Sequence, residues 1–335
     1  MTESPWTVQR ELLTKVDEET DPAYGSLPRD RLIRDYIRFG IVNLDKPSGP
    51  TSHEVAAWLK KILHVAHAGH GGTLDPKVTG VLPVALEEAT KAIGILLLSG
   101  KEYVCVMRLH DQVDEGKVRG VLNEFVGDIL QRPPLRSSVQ RNIRVRRIYY
   151  IHDLEFSLGR VLFTVGCQAG TYIRKLCFDV GEALGTGAHM EELRRTRTGP
   201  FTEDQDLVSL YDLQEAYEEF EVNHEEKLLR RYILPVEAAF GSVPRVFIRD
   251  SAVDAVCHGA KLAVPGIAKI DSAISPRDTV GLFSLKGELV GIGRASMSTE
   301  QIMELEHGLA FDTLRVVLPI GTYPRIWQHH SSTTR

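Results

Sequence analysis

Residues Gly69-His70-Gly71-Gly72-Thr73-Leu74-Asp75-Pro76-Lys77-Val78-Thr79-Gly80 constrain this chain more than any other segment. Four glycines around a single Asp-Pro allow close backbone approach and dihedrals closed to other residues. The residue before a proline is driven toward extended backbone, so Asp75 belongs on a stiff, non-helical loop that presents its carboxylate to a ligand. A plain Asp-Pro turn that only reverses the chain is the competing reading. A phosphate loop is excluded, because Lys77 follows Pro76 and no Gly-Lys-Ser/Thr opens a helix. His64, His67 and His70 recur at spacing three without a thiol or carboxylate beside them, too weak a pattern for a metal site.

On either side of this loop the chain is punctuated by short apolar runs. Ile41 to Leu44 reads as a buried strand leading into a turn at Asp45 to Ser52. Ser52 is placed to cap a helix with Val55, Leu59 and Ile62 on one face. Tyr103, Cys105, Met107 and Leu109 alternate as a strand does, and Tyr149 to Leu154 and Arg160 to Val165 look similar. With helices between them, these strands predict an α+β body. Residues 1–38 are polar and interrupted by Pro22, Gly25 and Pro28, so they form an extension ordered by packing on another part of the chain, expected to be the C-terminal domain. Beyond Pro244 the runs Val246-Phe247-Ile248, Val280 to Leu285, Leu289 to Ile292 and Leu314 to Val317, with a tight hairpin at Lys286-Gly287-Glu288, predict a small β-rich domain. The expected division is 1–38, 39–240, 245–325 and a tail at 326–335. A length of 335 residues fits roughly two domains at about 150 residues each.

The formal net charge of -5 argues against a protein that is basic throughout, but it averages unlike regions. Arg132, Arg136, Arg141, Arg144, Arg146 and Arg147 form a run without an acid. Glu203 to Glu226 contains ten carboxylates and no Lys or Arg. There Leu207, Leu210, Leu213 and Tyr217 recur at helical spacing, as on a solvated amphipathic helix or a docking face for a basic partner. The apolar stretch Ala92 to Leu98 is too short to span a membrane, and the N-terminus carries no secretory pattern, so a place inside the cell is expected. Cys105, Cys167, Cys177 and Cys257 show no C-x-x-C spacing and are expected to be reduced, half-buried small hydrophobes.

Arginines interleaved with an aromatic recur in Gly170-Thr171-Tyr172-Ile173-Arg174 and near Gly187-Ala188-His189-Met190 with Leu193-Arg194-Arg195. Phosphates and stacked bases require such a surface. An exposed basic helix edge is the plainer alternative.

Taken in order, Asn43-Leu44-Asp45-Lys46-Pro47, Gly69 to Gly80, Lys101-Glu102-Tyr103, Gln131-Arg132-Pro133-Pro134 with Ser138-Val139, Gly170 to Arg174, and Gly187 to Met190 with Leu193-Arg194-Arg195 resemble the TruB/dyskerin pseudouridine synthases. The resemblance covers about 38 to 240. Asp250 to Ala260 and Lys286 to Gly293 resemble the PUA domain that accompanies them. The extension, Arg144-Val145-Arg146-Arg147-Ile148-Tyr149 and the PUA segment are similar to the archaeal and eukaryotic branch, the catalytic subunit of H/ACA ribonucleoproteins. The absence of a Lys-rich tail favours an archaeal source. The sequence departs from the family at Gly71, where Ser or Thr is usual, at Gln140, where Lys is common, and in its pI of 6.2.

The resemblance implies an α+β, mixed-sheet catalytic domain with a PUA pseudo-barrel. It implies isomerisation of uridine to pseudouridine in rRNA, with tRNA a further candidate, directed by an H/ACA guide RNA and small H/ACA core proteins, with no membrane. Guide-independent modification of tRNA and a non-catalytic RNA-binding scaffold are the alternatives. The reaction breaks the N1 glycosidic bond and re-forms it at C5 without net redox change, so no cofactor or metal is expected. Asp75 is implied as nucleophile or base, and Arg174 as the partner that favours its charged form. Tyr103 is implied to stack on the base and serve the proton leaving C5. His70, Tyr172, Leu193 and Lys46 are implied around the flipped nucleotide. Arg144, Arg146, Arg147, Arg194, Arg195, His258, Gly259 and Lys261 are implied as RNA contacts.

Overall fold

The computed structural model describes Trp6 and residues 9–132, 142–204 and 206–325. Two mixed β-sheets with helices packed on them make the molecule α+β. The larger sheet runs Ile233–Pro235, Gly40–Lys46, Thr79–Leu86, Ala188–Thr198, Lys101–Leu109, Arg160–Cys167, Arg144–Ser157 and Gly127–Gln131, with Ala68–His70 and Phe201–Thr202 attached at its side. The strand over 101–109 follows the period-two pattern: Cys105, Met107 and Leu109 are buried, and Tyr103 borders the same core. Helices Glu115–Glu124 and Ile173–Leu184 close that core with Val118, Leu122, Leu176 and Val180. Helix Ser52–Ile62 sets Val55 and Leu59 against Leu82 and Val84 of the sheet.

The N-cap of that last helix is Thr51. Its side chain and that of Glu54 form a reciprocal capping box, which leaves Ser52 free for another task. Ser52 Oγ accepts from the Leu74 amide at 2.8 Å and donates to the Leu74 carbonyl at 3.1 Å, pinning the residue before Asp75. The acidic segment forms helix Leu210–Asn223, capped by Ser209, with Leu213 and Ala216 buried on the sheet; Leu207 precedes it. All four cysteines are buried more fully than their sequence context suggested, because each lies on a strand or helix face turned into a core. Cys105 Sγ lies 3.6 Å from Cys177 Sγ.

The smaller sheet runs Leu12–Thr14, Ile267–Asp271, Arg245–Ile248, Thr279–Ser284, Leu289–Ala295, Leu309–Val316 and Leu262–Ala263, with the hairpin at 286–288 joining two of its strands. The extension supplies its first strand, in antiparallel register with Leu12 opposite Asp271. Phe39, Ile41 and Phe240 share a core with Phe283, Leu289 and Ile292 from the smaller sheet. Arg31 of the extension donates to both Glu237 oxygens at 2.7 and 3.1 Å, and Glu237 Oε1 also accepts the Leu289 amide. The extension, the short helical turn after Ile233–Pro235 and the smaller sheet therefore meet at one buried ion pair. Among the described residues no helix is long and apolar enough to cross a membrane.

Candidate active site

The Asp75 loop connects strands Ala68–His70 and Thr79–Leu86, which are antiparallel neighbours. Arg174, in the first turn of helix Ile173–Leu184, places Nη2 against Asp75 Oδ2. Both side chains are about half open to solvent, at 54% and 55%. Ion pairs this exposed contribute little to stability, ~0 to 1 kcal/mol, so fold stability alone gives slight reason for the pairing. A carboxylate aimed by a guanidinium at a solvent opening is suited to attack on, or proton removal from, an incoming group.

Below the loop lie three buried basic side chains. Lys46 is 0% exposed, and its ammonium donates to the carbonyls of Pro47, Pro76 and Val78, each at 2.9 Å. Arg195 is 1% exposed and donates from Nε to Val81 O at 2.7 Å and from Nη2 to Gly72 O at 3.1 Å. Lys101 is 5% exposed, with its ammonium on the carbonyls of Leu96, Leu97 and Ser99 at 2.7 to 3.0 Å. Lys46, expected beside the nucleotide, and Arg195, expected as an RNA contact, are both buried and donate to main-chain carbonyls under the loop. The Gly80 amide region explains the closeness: φ is +101°, and a Cβ there would fall on the Arg195 backbone, closer than real contacts allow.

Burial first, and repulsion from Arg195 second, pull the Lys101 ammonium down to about 7 from an ordinary 10.5. Its folded value lies below its unfolded value, so between these limits the unfolded chain holds the extra proton. The contribution of Lys101 to stability is thus fully present above about 10.5 and is lost as the pH falls through about 7. Denaturant unfolding at pH 6.5 and pH 9 should show the wild type gaining on Lys101→Met at the higher pH. Equal gains in both proteins would refute the assignment.

Tyr103 stands opposite Arg195 in the sheet and interacts with its guanidinium. Burial raises the Tyr103 hydroxyl above its ordinary 10.0, with Arg195 opposing, so the ring is a neutral phenol at physiological pH. Leu193, two residues before Arg195, is partly buried against the same two cores as Tyr103. Tyr172 is the N-cap residue of the Arg174 helix. Gln131 grips its backbone, accepting its amide at 2.9 Å and donating to its carbonyl at 3.1 Å. His70 meets His53 edge-on at 4.8 Å and lines a hollow of about 370 Å³ with Ala56 and Lys60. Burial, then His53, keeps its imidazole below the usual 6.5 and therefore neutral. The other spaced histidines diverge: His67 Nδ1 bonds Glu87 at 3.0 Å and His64 stacks on Tyr217. Among the described residues no three His, Cys, Asp or Glu converge as a metal site. At Gly71 a Cβ would press on Leu96 at 2.9 Å, which accounts for glycine where Ser or Thr was expected.

The basic positions separate into two groups. Arg194 is held between Asp45 and Glu203, with contacts of 3.0 and 2.7 Å, so its charge is largely neutralised within the fold. Arg147 forms a two-pronged pair with Asp128, and Lys261 pairs with Asp312 at 2.8 Å; both remain at the surface. Arg144 begins strand Arg144–Ser157, and the Arg146 guanidinium lies over Gly170, one turn of chain before Arg174. Arg136, Arg141, Pro133, Pro134, Ser138, Val139 and Gln140 lie outside the described residues, as does the tail at 326–335. His258 ends helix Asp250–Cys257, bonded to Asp254 O at 2.8 Å and to Arg325 at 2.7 Å. Gly259 follows with φ +84°. Sequence reasoning passed over Lys101, Gln131 and Gly72 as site residues, although all three stand inside motifs already singled out.

A loop carboxylate paired with arginine, a tyrosine on the adjoining sheet and a second β-rich unit define an RNA-modifying enzyme of the pseudouridine synthase class. The family comparison agrees in sequence order. The TruB family pseudouridylate synthase (N terminal domain) matches residues 60–173, the tRNA pseudouridylate synthase B C-terminal domain 174–241, the PUA domain 244–317 and the DKCLD (NUC011) domain 3–56. The chain belongs to the TruB family of pseudouridine synthases. A probable tRNA pseudouridine synthase B of Methanopyrus kandleri is 55% identical over 96% of this chain and 95% of its own. One of Pyrococcus furiosus is 52% identical over 97% and 96%. The fold superposes on the matching chain of a Cbf5-Nop10-Gar1 complex with a TM-score of 0.93 at 52% identity, covering 96% of this chain and 98% of that one. An H/ACA RNP bound to a substrate RNA containing 2'-deoxyuridine gives 0.91 at 50% identity, with 96% and 99% coverage.

Proposed function

We propose that this protein converts uridine to pseudouridine as the catalytic subunit of an H/ACA guide ribonucleoprotein. In this reading residues 39–240 carry the chemistry, 245–325 grip RNA and the extension belongs with the latter. The observation that carries the chemistry is the solvent-open Asp75–Arg174 pair, on a loop that Arg195 links to Tyr103. Asp75 acts on the extruded nucleotide, Arg174 keeps it aimed, and Tyr103 stacks on the detached uracil and serves the proton at C5. His70, Tyr172 and Leu193 border the base, and its re-attachment needs no electron carrier. Arg144, Arg146 and Arg147 position phosphates, while His258, Gly259 and Lys261 contribute on the C-terminal unit.

The guide-dependent branch is supported by the full-length likeness to chains solved in complexes with Nop10, Gar1 and RNA, and in this reading the protein works in the cell interior. The names of the curated relatives favour a second substrate, tRNA. Purified protein incubated with a uridine-containing rRNA fragment or a bare tRNA transcript, with and without guide RNA and small core proteins, separates the two. Pseudouridine in the rRNA fragment only when guide is present supports the main reading. Modification of tRNA alone, with no guided product, would replace it, and no product under any condition would leave a binding scaffold.

A further inference from the structure

We propose that Arg195 is a positioning residue of the isomerisation, tying both ends of the Asp75 loop to the strand that carries Tyr103. The proposal rests on the roles given above to Asp75 and Tyr103. The side chain of Arg195 holds Gly72 O, three residues before Asp75, and Val81 O, six residues after it. Its backbone is registered with Gly80 on one side and Tyr103 on the other. A single residue therefore touches the entry to the loop, its exit and the tyrosine.

Stability alone gives no reason for such a group. A guanidinium that is 1% exposed carries a desolvation cost of several kcal/mol, which buried carboxylates normally offset. Among the described residues no carboxylate forms an ion pair with Arg195, and its charge works against protonation of the neighbouring Lys46 and Lys101. An apolar side chain of similar length would relieve that cost. Only the planar fork, however, reaches two carbonyls and a phenol from fixed directions. The same concentration of positive charge favours electron density building up on a base detached above it.

The test compares Arg195→Lys and Arg195→Met in the complete guide complex, measuring single-turnover rate at saturating substrate RNA, substrate affinity and melting temperature. The expected result is a rate lower by about 10²-fold in the Met variant and a smaller loss in the Lys variant, because misplacement by about 1 Å costs that much. Substrate affinity should stay within about twofold in both. A rate within twofold of wild type in the Met variant overturns the proposal. So does a loss of rate matched by equal losses of affinity and melting temperature in both variants. If the Met variant does not fold, the Lys variant decides: an unchanged rate refutes the need for the fork. Asp75→Asn runs alongside: full activity there would overturn the underlying reading, whereas an inactive Asp75→Asn with a fast Arg195→Met would overturn this proposal alone.

Discussion

Asp75→Asn should abolish pseudouridine formation, lowering the single-turnover rate by on the order of 10⁴-fold or more, as removal of a covalent or proton-transferring group does. Asn nearly matches Asp in shape and keeps one oxygen for Arg174, so the loop should stand as it does now. The pair it disturbs is half open to water, and melting should move by no more than ~1 kcal/mol. Guide and substrate RNA should bind as before, because the basic residues proposed to hold them lie elsewhere. The decisive measurement is product formed in one turnover by the assembled complex. Wild-type product from the Asn variant would remove Asp75 from the chemistry altogether.

The second large effect is expected on stability. Gly80→Ala would require a side chain at φ +101° and would drive its Cβ into the Arg195 backbone, where the neighbouring strand cannot yield. Backbone strain of ~1 to 3 kcal/mol and overpacking of similar size give a combined cost of about 2 to 6 kcal/mol. Gly287→Ala is the matched control. Its φ is +83° but its surroundings are open, so only the conformational cost of about 1 to 2 kcal/mol remains. Urea unfolding of the two variants should separate them clearly. A Gly80 variant no weaker than the Gly287 variant would mean that the two strands can part without cost.

The contrast between these glycines shows what was legible beforehand. The strand over 101–109, the hairpin at 286–288 and the exposed position of Asp75 were readable because each depends on residues adjacent in sequence. The pairing of Arg174 with Asp75 was foreseen from family resemblance, and no local pattern indicates it across a separation of 99 residues. The burial of Lys46 and Arg195 was not legible, for a definite physical reason. A cation in a sequence reads as a surface group unless an acid accompanies it, and here the partners are carbonyls that come together only after the loop has folded. The Arg194–Asp45 pair was equally hidden, since Asp45 lies 149 residues earlier. Thr51 and Ser52 are equally good caps on paper. What separates them is Leu74, which takes Ser52 for the loop.

The strand Leu12–Thr14 covers one edge of the smaller sheet, and the opposite edge is the two-residue strand Leu262–Ala263, where the register shifts. An open, regular edge is a template for pairing with another chain. The extension thus acts as a guard against edge-to-edge aggregation. Cutting it away to make a smaller enzyme would expose Ile267–Asp271, and the consequence would be lost solubility as well as lost packing.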